Sequence, residues 1–83
     1  MNIKPLRKDL LTYLEIHGLI KKWKKAKNLF EINVRHPSLH TELLEPHWRG
    51  IYSFKLDQKY RALYFIDGNE VEVFQITKHY KKS

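Results

Sequence analysis

From Ile51 to Thr77 the chain reads IYSFKLDQKYRALYFIDGNEVEVFQIT, and this stretch decides the fold. Tyr52, Phe54 and Leu56 alternate with Ser53 and Lys55, the period-two pattern of a strand that buries one face. Tyr60 to Ile66 is rich in strand formers, and alternation resumes from Glu70 to Thr77 through Val71, Val73 and Gln75. Asp57-Gln58-Lys59 supplies a short polar connection. Asp67-Gly68-Asn69 is a hairpin turn, because Gly and Asn accept the positive φ that a tight turn demands. These signals predict a three-stranded antiparallel meander.

Upstream the period lengthens to that of a helix. Leu6, Leu10 and Leu14 recur every four residues, widened by Leu11 and Tyr13, and Pro5 suits a first helical turn. Gly18 marks a break. Leu19, Trp23, Ala26, Leu29 and Phe30 then share one side of a second helix, which runs to about Asn33. Lys21, Lys22, Lys24, Lys25 and Lys27 lie largely opposite them. The meander needs one face covered, and the helical pair is the available cover. The expectation is a single α+β domain over residues 1–83, with two N-terminal helices on one face of a small antiparallel sheet. Its order is βααβββ, with the first strand (Met1–Lys4) short or absent because Pro5 limits it. Residues 35–50 read as a polar connector, long for so small a domain and therefore suspected of function.

Composition narrows the function. The chain has 83 residues, 16 Lys+Arg against 9 Asp+Glu, a net charge of +7, and 42% apolar and 13% aromatic residues. That supports one core and excludes a disordered basic tail. Absence of cysteine excludes disulfides, thiolate zinc sites and a Cys nucleophile. No run reaches the roughly 18 to 20 apolar residues of a membrane span, and the N-terminus lacks a signal-peptide core, so a cytoplasmic protein with no membrane partner is expected. The chain is too small to enclose a dinucleotide, and no cofactor is expected. The charge points to polyanions or acidic protein segments as partners.

Three groups of residues carry potential chemistry. His17, His36, His40, His47 and His79 lack the tight spacing and companion ligands of a zinc site, and no metal is expected. His79 is the best acid–base candidate, ending a strand beside Tyr80 among lysines. The lysine run reads either as a solvated helix face or, being one-signed until Glu31, as a docking surface for phosphates. Arg61 interrupts an apolar strand and shares a face with Leu63 and Phe65 by alternation. It reads either as an edge arginine whose head reaches water or as a fixed guanidinium for a phosphate.

The stretch from Gly50 to Tyr64 (GIYSFKLDQKYRALY) resembles the RelE/ParE superfamily of toxin–antitoxin toxins. Arg35 to His40 (RHPSLH) resembles the connector of many members, and Lys78-His79-Tyr80 resembles the end of the YoeB branch. With Thr41 to Tyr80 running without gaps, the resemblance covers some two-thirds of the chain. It implies a βααβββ fold, cleavage of mRNA on the ribosome, and neutralisation by a cognate antitoxin, the toxin being a monomer or homodimer.

Residue by residue, the resemblance gives Arg61 the scissile phosphate, Glu42 the role of general base and His79 that of general acid. Tyr80 would orient the RNA, with Tyr64 and Lys55 as supporting contacts. Lys21, Lys22, Lys24, Lys25, Lys55, Lys78 and Lys81 would hold RNA. Metal-independent cleavage does require a base for the 2′-OH, an acid for the leaving oxygen and positive charge at the phosphoryl oxygens. The chain departs from the family in its reduced first strand and in Glu45-Pro46-His47-Trp48, which replaces a more basic run. Trp48 is expected to pack on the core, with stacking on a base as the alternative. Two other readings stand beside the nuclease: a non-catalytic binding protein on the same fold (a gyrase inhibitor or an inactive antitoxin-binding relative), and a nonspecific nucleic-acid module.

Overall fold

The computed structural model describes residues 1–78. Strand β1 (Asn2–Ile3) leads to helices α1 (Lys8–Ile16) and α2 (Ile20–Ile32). After a connector come β2 (Glu42–Leu43), β3 (Tyr52–Lys55), β4 (Tyr60–Asp67) and β5 (Glu70–Lys78). The sheet order is β1-β5-β4-β3-β2. The expected meander is β3-β4-β5, antiparallel throughout. The sheet as a whole is mixed, because β1 runs parallel to β5 through Asn2↔Glu70 and Ile3↔Val71.

The first strand is therefore present, though only two residues long. Lys4 N–H extends its pairing to the Val71 carbonyl (2.9 Å), and the Glu31 carboxylate of α2 accepts from Ile3 N–H (3.0 Å). This anchoring delays the helix. Pro5 precedes α1 rather than opening it, since Lys4 is held extended against the sheet and the residue before a proline disfavours helix. Arg7, in extended conformation, is the residue from which α1 starts.

Gly18 breaks the helices as its type suggests. Its φ of +65° supports a Schellman closure, in which Leu19 N–H donates to the Leu14 carbonyl (2.7 Å) and Gly18 N–H to the Glu15 carbonyl (3.2 Å). Leu14 and Leu19, both buried, accompany that closure in the core.

The core lies between the helices and one sheet face. Trp23, Ala26 and Phe30 of α2 are buried, as are Phe54, Ala62, Tyr64, Val71, Val73 and Ile76 of the sheet. Phe30 meets Phe54 (ring centroids 5.2 Å) and stands edge-on to Tyr64 (5.1 Å), a favoured aromatic geometry. Burial pushes the Tyr64 hydroxyl up to about 12, a shift that neighbouring Tyr52 adds to and Arg35 opposes. The connector adds Leu39, 1% exposed, from a 3-10 turn at Pro37–Leu39. No helix among the described residues is long and apolar enough to cross a membrane.

Asp57 builds the β3–β4 turn. Its Oδ1 accepts from Lys59 and Tyr60 N–H (2.8 Å each), and its Oδ2 accepts from Lys22 Nζ of α2 (2.8 Å). Burial raises its pKa, but the Lys22 bond and the two backbone donors outweigh that and hold the carboxyl below its ordinary value. Asp57→Ala is expected to lower stability by about 1–3 kcal/mol in urea unfolding at pH 7, by stranding the turn's donors. A depressed carboxyl contributes above the unfolded-state value of about 3.9 and loses that contribution as pH falls through its own lower value. The gap between parent and variant should therefore narrow below about pH 4.

Candidate active site

Alternation along β4 sends Ala62 and Tyr64 into the core and Arg61, Leu63 and Phe65 to the sheet face away from the helices. Because β4 is the central strand, Arg61 is not an edge arginine. Nor does its head reach freely into water: the residue is only 8% exposed. Arg61 Nε donates to Ser53 Oγ (2.9 Å) on β3, and Nη2 donates to the His40 carbonyl. The Glu42 carboxylate lies 4.0 Å from Nη2. Burial pulls the guanidinium below its ordinary pKa and Glu42 opposes that pull, leaving a cation at neutral pH.

The connector is shaped to make these contacts. The turn at Pro37–Leu39 closes on His40 in the left-handed region (φ 45°), uncommon for a residue other than glycine. His36 Nδ1 accepts from Ser38 N–H (3.1 Å) at the start of that turn, and Thr41 Oγ1 donates to the Val34 carbonyl (2.7 Å) beyond it. The next two residues are β2, paired with β3 through Glu42↔Ser53 and Leu43↔Tyr52. The polar connector thus contains a strand, and that strand holds Glu42 beside Arg61.

Of the expected catalytic set, the structure brings Glu42 and Arg61 together. His79, Tyr80 and Lys81 lie outside the described residues. Lys55 is the cross-strand partner of Arg61, whereas Tyr64 points into the core and away from the site. Lys22, Lys25 and Lys55 line a groove of about 280 Å³ between α2 and the β3–β4 turn. Lys21 and Lys24 are exposed on α2, and Lys78 is exposed at the end of β5. The lysine face is less one-signed than its sequence suggests, because Lys22 pairs with Asp57 and Lys27 with Glu31 (3.6 Å).

Among the described residues, no three His, Asp or Glu side chains converge as a metal site would require. Trp48 departs from its expectation. It is 85% exposed on a 3-10 turn (His47–Arg49) that holds no buried residue, so it does not pack on the core. Ser53 and the His40 carbonyl were not expected in the site. Alternation does place Ser53 on the Arg61 face, but only the β3–β4 register puts it in reach, and a carbonyl leaves no mark in a sequence.

The chain superposes on the YoeB/ParE toxin from Agrobacterium tumefaciens at TM-score 0.72, with 17% identity, over 96% of this chain and 100% of that one. The fold is that of the YoeB/ParE toxins. The YoeB dimer from Staphylococcus aureus gives TM-score 0.70 at 20% identity, over 95% of this chain and 94% of that chain. YoeB in its heterotetrameric toxin–antitoxin complex with YefM, also from Staphylococcus aureus, gives 0.68 at 20% identity over the same shares. No protein-family model matches the chain, and no curated protein matches it. At these identities the YoeB-type likeness is one of fold, extending over the helices as well as the sheet.

Ser53 is 1% exposed and is the partner of Arg61 Nε. Ser53→Ala should cost about 1–3 kcal/mol by leaving a buried charged donor unpaired. Thermal unfolding of the two proteins measures the difference.

Proposed function

We propose that this protein is the toxin of a toxin–antitoxin pair and cuts mRNA on the ribosome by metal-independent general acid–base chemistry. The observation that carries the reading is a carboxylate, Glu42, placed 4.0 Å from a guanidinium that the fold itself holds in place. Glu42, with 59% of its side chain exposed, takes the proton from the ribose 2′-OH. The resulting oxygen attacks the adjacent phosphorus, and Arg61 meets the negative charge that builds on the phosphoryl oxygens. With Nε and Nη2 engaged by Ser53 and His40, the remaining N–H groups of the fork are those offered to the phosphate.

The departing 5′-oxygen needs a proton. His79 follows Lys78 in the sequence, and β5 carries Thr77 opposite Arg61. In this reading His79 is the acid and Tyr80 orients the RNA. DNA lacks the attacking hydroxyl and is not a substrate. Lys21, Lys22, Lys24, Lys25, Lys55, Lys78 and Lys81 hold RNA by phosphate contacts and set a salt-dependent affinity. The partner that silences the toxin is a cognate antitoxin, a reading supported by the likeness to YoeB bound to YefM.

The test is to map 5′ ends of ribosome-bound mRNA after expression. Parent protein should give new ends within codons, and Arg61→Ala should reduce them by roughly a hundredfold or more. Glu42→Ala and His79→Ala should each reduce them by a similar factor. Arg61→Lys keeps the charge but loses the planar fork, so it should recover only a small part of the activity. Cuts that persist unchanged in Arg61→Ala would overturn the assignment, and growth arrest without cuts would favour the binding-protein reading.

A further inference from the structure

The loop joining β2 to β3 folds back onto the sheet. Leu44 N–H donates to the Ile51 carbonyl (2.8 Å) and closes its base. Arg49 N–H to the Pro46 carbonyl and Gly50 N–H to the His47 carbonyl (3.1 Å each) fix its tip. Between loop and sheet lies a cleft of about 160 Å³. Ile51, Leu63 and Phe74 give it an apolar lining, and Glu45, Arg49 and Gln75 give it polar groups. Leu63 stands on the same sheet face as Arg61, two residues or about 7 Å along β4.

The sheet is modified at this point. Leu63 pairs with Gln75 and Tyr64 with Val73, so Phe74 is an extra residue in β5. In a regular strand Phe74 and Gln75 would face opposite sides; the bulge lets both line the one cleft. The bulge is also secured, since the Phe74 carbonyl accepts from Arg7 Nη2 (3.1 Å) and the Phe74 ring meets Phe65 (5.9 Å).

We propose that this cleft holds one unstacked RNA base beside the phosphate bound at Arg61, and so sets which bases flank the cut. The inference rests on the nuclease reading above. Proteins read unstacked bases with apolar or aromatic contact to the ring and hydrogen bonds to its edge, and the cleft supplies both. Gln75 offers a donor and an acceptor, Arg49 donors and Glu45 an acceptor. Trp48, exposed next to Arg49, offers a second ring on which a neighbouring base stacks.

The experiment maps mRNA 5′ ends for the parent, Gln75→Leu, Leu63→Trp and Arg61→Ala. Gln75 is exposed, so its replacement leaves the fold intact; Leu63→Trp fills the cleft, and its folding is checked by circular dichroism. Gln75→Leu should change the relative use of flanking bases by roughly tenfold, as loss of an edge contact does. Leu63→Trp should cut total cleavage by about tenfold or more. If Arg61→Ala abolishes cleavage while Gln75→Leu leaves the base distribution unchanged, the cleft is not a base site and the nuclease reading stands. If Arg61→Ala changes nothing, the nuclease reading itself falls. Should Gln75→Leu and Arg49→Ala weaken binding of the co-expressed antitoxin but leave the base distribution intact, the cleft docks protein and the proposal is overturned.

Discussion

Burial of the Arg61 guanidinium is the constraint around which the connector and both central strands are arranged. A cation taken out of water is costly unless its donors are satisfied, and here the partners come from three separate segments. Ser53 comes from β3, the carbonyl from His40, and the opposing charge from Glu42 on β2. To deliver them the chain must leave α2, bury Leu39, turn through a left-handed His40 and pair β2 with the sheet. The site is therefore not an ornament on a finished fold. Burying one charge on the sheet organises the loop that carries its neighbour.

The periodic parts of this arrangement were legible in the sequence. Alternation located β3, β4 and β5, and the four-residue spacing with Gly18 located the helical hairpin, because each pattern reports which side of an element leaves water. The rest depended on contacts distant along the chain. The two residues of β2 are too few for any period to show. Parallel pairing of β1 with β5 joins residues nearly seventy positions apart, and it also displaces the helix start from Pro5 to Lys8. The β5 bulge is invisible without the partner strand's register.

The same distinction explains how far the two kinds of likeness extend. Motif resemblance covers about two-thirds of the chain, whereas the fold matches over 95–96% of it. The helical hairpin needs only apolar residues of suitable size at the right spacing, a demand many sequences meet. The strand with Arg61 and its neighbours must satisfy a particular set of donors and acceptors, so its residues are less interchangeable. Trp48 stays outside the core for a related reason: hydrophobicity indicates burial only on average, and an exposed tryptophan beside Arg49 is also the composition of a contact surface.

The distribution of charge separates docking from chemistry. The lysines of α2 belong to the helix that covers one sheet face, whereas Arg61 projects from the other face. Exposed charges act through salt-screened solvent, so in the proposed nuclease the α2 lysines contribute less at the scissile phosphate than the buried guanidinium beside it. Pairing of Lys22 with Asp57 and of Lys27 with Glu31 reduces their contribution further. In that proposed role they gather phosphates on their own face and release counterions there. Lys55, the cross-strand partner of Arg61, also lines the groove with Lys22 and Lys25 and so stands between the two sets of cations. Loss of α2 lysines should then alter affinity and its salt dependence while the rate within a formed complex is preserved, because screening leaves the transition state to the groups that touch it.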